Sequence, residues 1–277
     1  PTPWHGARQA GSDGPMFHVK PRVVAVANQK GGVGKTTTAI SLGATLAAYE
    51  RGTLVVDLDP QSNCTSGLGI QTQPEQPTSY QLLTGAAALA DAIVPTDFPH
   101  LTVVPATPDL AGAEVELVGM VGREFRLRDA LRGANGIQFV LVDCPPSLGL
   151  LTVNALAACD GLLIPIQCEY FALEGVSELM RTVDEVRRYL NPGLAIDGVL
   201  LTMYDERTNL ARQVAREVRS VFGDLVFESV VPRNVRLAEA PSFGQPIQAY
   251  DLRCRGSQAY LRVGQEYLSR TEASPGG

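Results

Sequence analysis

From residue 22 onward, short runs of consecutive Val, Leu and Ile alternate with longer segments in which apolar residues recur at helical spacing. The apolar runs fall at 23–27, 54–56, 101–104, 139–142, 162–166 and 199–201, and the spacing predicts helices near 36–49, 109–118, 124–132, 150–158, 171–190, 210–222 and 257–269. Strands apolar on both faces need cover on both faces. The predicted class is therefore α/β, a doubly wound, mostly parallel sheet with helices on each side. No internal repeat or linker interrupts 22–270, which reads as a single domain. Residues 1–21 are expected to be a disordered leader or an expression-derived tail, with Met16 as a candidate natural start, and 271–277 a flexible C-terminal tail.

The first apolar run leads into Asn28-Gln29-Lys30-Gly31-Gly32-Val33-Gly34-Lys35-Thr36-Thr37, and a helical segment follows at once. Strand, glycine-rich loop and helix start form the setting a phosphate cradle requires. Glycines let backbone N–H groups converge on phosphate oxygens, Lys35 reaches the terminal phosphates, and Thr36 places a hydroxyl on Mg2+. The strict G-x-x-x-x-G-K-[ST] pattern fails by one residue, because Gln29 stands at the first glycine position and Lys30 follows it.

Two further strand ends carry carboxylates. Asp57 and Asp59 close the second run on the same side, toward the carboxyl edge of the sheet where such folds bind ligands. Asp143 closes the fourth run, a Walker B pattern that would hold Mg2+ directly or through water, and Pro145-Pro146 stiffen the exit. The metal candidates are Thr36, Asp59 and Asp143, with Asp57 as a possible assistant.

Composition narrows the class. The 277 residues are 45% hydrophobic and 19% charged, enough for a sizeable core. No stretch of about 18 apolar residues and no signal sequence is visible, so a cytoplasmic location is expected. Five cysteines without a CxxC pair suit reduced thiols rather than structural zinc. A net charge of −6 weighs against nucleic acid as partner, yet it is unevenly spread. Up to residue 204 there are 13 basic and 20 acidic residues; from 205 there are 10 and 9. Of the 23 basic residues only three are lysines, and two of these are Lys30 and Lys35.

Lys-Gly-Gly-Val-Gly-Lys-Thr resembles the deviant Walker A group of P-loop NTPases, which includes partition proteins of the ParA/Soj type, MinD and the nitrogenase iron protein. The resemblance to ParA/Soj runs through segments 28–38, 57–69, 143–154, 165–175, 200–210 and 231–243. It implies an ATPase using ATP/ADP and Mg2+, with Lys30, Lys35 and Asp59 as catalytic residues. Lys30 would reach the partner's phosphates in a nucleotide-sandwich homodimer, and Asp59 would orient the attacking water in a switch running to about Ser66. A second switch would lie around 147–149. Nucleotide contacts would come from Lys30, Gly31, Gly32, Val33, Gly34, Lys35, Thr36 and Thr37, with Pro232 and Arg233 beside the base.

The same resemblance implies ATP-dependent, sequence-nonspecific binding of double-stranded DNA, association with the nucleoid, and stimulation of hydrolysis by a ParB-type centromere-binding protein. It carries Arg207 and Arg236 as DNA contacts. Arg212, Arg216 and Arg219 share one face of the predicted 210–222 helix, with Leu210, Val214, Val218 and Val221 opposite. Both a solvated face and a DNA face fit this trio. Arg253 and Arg255 are further candidates. The alternative is a MinD-like positioning ATPase acting on membrane or protein cargo; it would call for a basic amphipathic helix after Leu268, where the chain reads Ser-Arg-Thr-Glu-Ala-Ser-Pro-Gly-Gly, so no membrane partner is expected.

Overall fold

The computed structural model describes residues 20–170 and 172–272. Most of the proposed leader, Met16 among it, and the last five residues of the proposed tail lie outside the described residues. Seven strands form one sheet: β1 (Arg22–Val26), β2 (Thr53–Asp57), β3 (Val94–Pro95), β4 (Leu101–Val104), β5 (Phe139–Asp143), β6 (Gly161–Gln167) and β7 (Ala195–Thr202), in the order β3-β4-β2-β5-β1-β6-β7. All pairs are parallel except β3 with β4, a two-residue antiparallel edge too short to leave a periodic signal. No helix of the described residues is long and apolar enough to cross a membrane.

Alternate residues of each strand enter two separate cores. Val23, Ala25, Leu54, Val56, Val140, Val142, Leu162 and Ile164 face one side, under helices Leu110–Leu117, Leu150–Ala158, Glu174–Tyr189 and Asn209–Phe222. Val24, Val26, Val55, Leu141 and Leu163 face the other, under helices Lys35–Ala48 and Arg255–Glu272. Burial on both sides explains why the strands lack alternation.

All six apolar runs are strands; the predicted 150–158 helix forms with those ends, and the others form with shifted ends. The 124–132 segment divides into a 3-10 turn, helix Arg126–Ala130 and a second 3-10 turn. The 210–222 helix requires a correction: Ala211, Val214, Ala215 and Val218 are its buried residues, whereas Leu210 and Val221 are exposed. Short helices such as Ser79–Thr84 span too few turns to show a period. That one does have a signal, the capping box Thr78-Ser79-Tyr80-Gln81, in which Thr78 Oγ1 accepts from Tyr80 N and Gln81 Oε1 accepts from Thr78 N.

This topology gathers the chemistry at one edge. β1, β2 and β5 end together, with Asp57 opposite Asp143 and Val26 beside Asp143, and β1 lies where successive strands are laid to opposite sides.

Candidate functional site

The phosphate loop turns on two glycines with positive φ, Gly32 (74°) and Gly34 (90°), conformations that L side chains rarely adopt. Gly34 caps helix Lys35–Ala48 without any side-chain hydrogen bond, so the first N–H groups of that helix are left for a ligand. Val33 is buried and its carbonyl accepts from Thr202 Oγ1 at 2.8 Å, tying the loop to β7. Lys35 is buried against the loop, and its Nζ donates to the Lys30 carbonyl at 3.1 Å. Burial lowers its pKa, opposed by the charges of Asp143 and Asp59.

A cavity of about 1050 Å3 opens above this loop, lined by Gly31, Gly32, Gly34–Thr37, Asp59 and residues of the 237–244 stretch. A smaller, mostly apolar cavity of about 340 Å3 adjoins it, bordered by Gly34, Thr37, Met203, Pro232, Arg233 and Val235. The two share Gly34 and Thr37, so they are continuous at the start of the helix that follows the phosphate loop.

The three aspartates take different places. Asp57 is fully buried; one oxygen accepts from Asp59 N (3.1 Å), the other from Thr65 N (2.9 Å) and Thr65 Oγ1 (2.7 Å). Burial raises its pKa to about 6 against these hydrogen bonds. Its carboxylate is committed to pinning the 59–65 turn, which replaces the expectation that it assists at the metal. Asp59 lines the large cavity and accepts from Gln61 N at 2.9 Å. Asp143 is fully buried and neither oxygen has a hydrogen-bond partner. Burial, then the charge of Asp57, push its pKa well above the ordinary range; the Thr36 hydroxyl, nearby but outside hydrogen-bonding geometry, and the Lys35 ammonium oppose the rise. A buried carboxylate with both oxygens unsatisfied fits a hydrated cation held beneath the phosphates. No cluster of three or more His, Cys, Asp or Glu able to cage a metal occurs among the described residues; Thr36 and Asp59 are the other candidate ligands, with phosphate and water.

A third cavity, about 620 Å3, lies behind the base-side loop and holds Arg207, Arg233, Arg253, Arg255 and Arg262 with Tyr204 and Gln258. Arg207 forms a two-pronged contact with Asp205, at 2.9 and 2.7 Å, which holds the Asp205 carboxyl down at about 2. Arg236 does not line this cleft and is paired with Glu239 (2.8 Å) and Asp251 (3.7 Å).

Residues 21–196 match a family model described as an AAA domain. The chain is 56% identical over 252 residues to the chromosome partitioning protein ParA of Caulobacter vibrioides, covering 90% of this chain and 94% of that one. It is 52% identical to the sporulation initiation inhibitor protein Soj of Bacillus subtilis, over 88% and 97% of the two chains. The chain belongs to the ParA/Soj family.

This ParA/Soj protein is thus an ATPase of a chromosome-partitioning family. Among solved structures it is similar to a Mycobacterium smegmatis protein named as cobyrinic acid a,c-diamide synthase, crystallised with an ATP analogue and magnesium; the TM-score is 0.81 at 38% identity, over 91% and 96% of the chains. The partition relatives are closer in sequence, so that protein's name lends support to the nucleotide site rather than to its own reaction.

In the ParA/Soj chain, Gly31, Gly32, Gly34, Lys35, Thr36, Thr37 and Asp59 line one cavity, and Pro232 and Arg233 the adjoining one. Lys30 and Val33 line neither. Of the DNA candidates, Arg207 stands with Arg253 and Arg255 in the cleft. Arg212 donates to the Glu206 carbonyl (3.0 Å) and Asn209 Oδ1 (2.6 Å), while Arg216 and Arg219 are exposed farther along the helix and outside the cleft lining. Arg262 is a cleft residue that sequence reasoning passes over, although Arg255, Gln258 and Arg262 recur at i, i+3, i+7 and so share one helical face.

Proposed function

We propose that this protein binds ATP with Mg2+, closes into a sandwich homodimer through Lys30, and in that state binds double-stranded DNA without sequence preference. Hydrolysis, accelerated by a ParB-type partner, releases the DNA. ATP would occupy the phosphate loop and the adjoining apolar cavity; Thr36, Asp59 and Asp143 would hold Mg2+, which would supply charge neutralisation at the transferring phosphoryl group. Asp59 orients the attacking water from the cavity wall, and Lys30 adds positive charge from the second subunit where negative charge develops.

One observation supports the link from nucleotide to DNA: a single loop walls both cavities. Pro232, Arg233 and Val235 line the base cavity on one side and the arginine cleft on the other. Ordering that loop around a base would fix the cleft, and dimerisation would set two clefts on one ligand, multiplying two weak contacts. Arg207 is exposed and its partner Asp205 half-buried, so the guanidinium can turn from the carboxylate to a phosphate without leaving solvent.

The test is DNA affinity against salt concentration for wild type and for Arg207→Ala, Arg236→Ala and Arg255→Ala, each with ATP and Mg2+. Removing an arginine that neutralises one phosphate lowers the slope of log K against log salt by about 0.9, equally on unrelated sequences. Unchanged affinity and slope in all three variants would reject these arginines as DNA contacts, and unchanged values in Arg207→Ala and Arg255→Ala would reject the cleft.

A further inference from the structure

Lys30 is held differently from the rest of the phosphate loop. Its backbone is fixed: its N–H donates to Asn28 Oδ1 (3.0 Å), its carbonyl accepts from Lys35 Nζ (3.1 Å), and Asn28 Nδ2 anchors to the Pro165 carbonyl (2.7 Å). Gly175 packs close by; a Cβ there would stand 3.6 Å from the Lys30 Cβ. The Lys30 side chain takes no part in lining the nucleotide cavity. Its ammonium lies instead 3.8 Å from Glu169 Oε2.

Glu169 has a second partner. Its Oε1 is 3.5 Å from Arg233 Nη2 and also accepts from Gln167 Nε2, which orients the carboxylate. One side chain therefore faces the lysine of the phosphate loop and the arginine of the base-side loop together. Among the described residues, neither cation has another ion-pair partner.

We propose that Glu169 is a positioning residue that parks Lys30 and Arg233 in the free subunit and gives Lys30 up when the ATP-bound sandwich forms. The inference rests on the dimer reading above. A lysine engaged with its own subunit's carboxylate cannot reach a partner's phosphates, so the contact opposes association until a triphosphate offers a stronger anion. All three groups are partly exposed, and such pairs shift an equilibrium by about 1.5- to 5-fold. Two copies in a dimer compound this to about 2- to 25-fold.

The 277-residue chain permits a direct test, because its three lysines can be assigned separately by mass spectrometry after brief acylation. In the nucleotide-free protein, Glu169→Gln raises Lys30 acylation relative to Lys20 by about 1.5- to 5-fold. Glu169→Asp, which keeps the charge on a shorter arm, falls between. Sedimentation velocity with ATP and Mg2+ then shows Glu169→Gln dimerising at about 2- to 25-fold lower protein concentration than wild type. Unaltered Lys30 acylation overturns the proposal, as does a dimerisation midpoint that stays put or moves to higher concentration while wild type dimerises normally. A wild type that remains monomeric with ATP brings down the dimer reading instead, and the acylation arm still decides whether Glu169 holds Lys30.

Discussion

Side chains that end strands or follow glycines account for most of the nucleotide chemistry. Among the described residues, Lys35 is the one cation lining the large cavity, so Lys35→Ala should weaken ATP binding by about 10- to 100-fold by calorimetry, the effect of removing a charged hydrogen bond. Asp59 makes only a backbone contact that the chain can replace. Asp59→Ala should therefore retain ATP binding and lose about 100-fold or more in turnover; wild-type turnover would remove its role. These residues are legible because strand, loop and helix start are contiguous in sequence. The role of Asp57 is not, because its partner Thr65 lies eight positions on, and neither is that of Glu169, whose ion pairs reach back to Lys30 and on to Arg233. The cysteines follow burial: Cys64, Cys144, Cys159 and Cys168 are buried, and burial pushes Cys159 and Cys168 up to about 12. Their thiolate fraction at pH 8 is on the order of 10⁻⁴. Alkylation of the native protein at that pH should label Cys254 alone, read by peptide mapping; fast labelling of Cys159 would contradict the packing.

Between elements, the polar joints are fewer but specific. The Asp197 side chain on β7 is buried and accepts from Arg22 at the start of β1 (2.6 Å) and from the Tyr267 hydroxyl of the last helix (2.7 Å). Asp197→Ala leaves an arginine and a buried hydroxyl without their acceptor, and should cost about 3 kcal/mol in urea unfolding while sparing ATP binding. A destabilisation below about 1 kcal/mol would show that water replaces the carboxylate. The strands can be read from sequence because burial on both faces makes them continuously apolar. The sheet order cannot, since β5 inserts between β1 and β2 through pairings more than eighty residues apart. The exposed Leu210 and Val221 show a related limit: apolar residues at helical spacing mark a stripe, and only the packed neighbours decide where its edges fall.

Across the whole molecule, charge distribution matters more than its sum. The chain carries −6, yet Arg207, Arg233, Arg253, Arg255 and Arg262, drawn from three separate segments, meet in one cleft. Composition could show an arginine-bearing last quarter; only the fold shows these arginines converging behind the loop that also lines the smaller apolar cavity. A single cleft on an acidic subunit should hold DNA weakly, and ATP-driven pairing of two clefts should change that. The most direct measurement is a titration of unrelated duplex DNA with the purified protein in Mg2+, at fixed salt, with ADP in one series and ATP in the other. Saturable binding with ATP, at least about tenfold tighter than with ADP and independent of sequence, is the result the account predicts; equal affinity in the two series, or none in either, would contradict it.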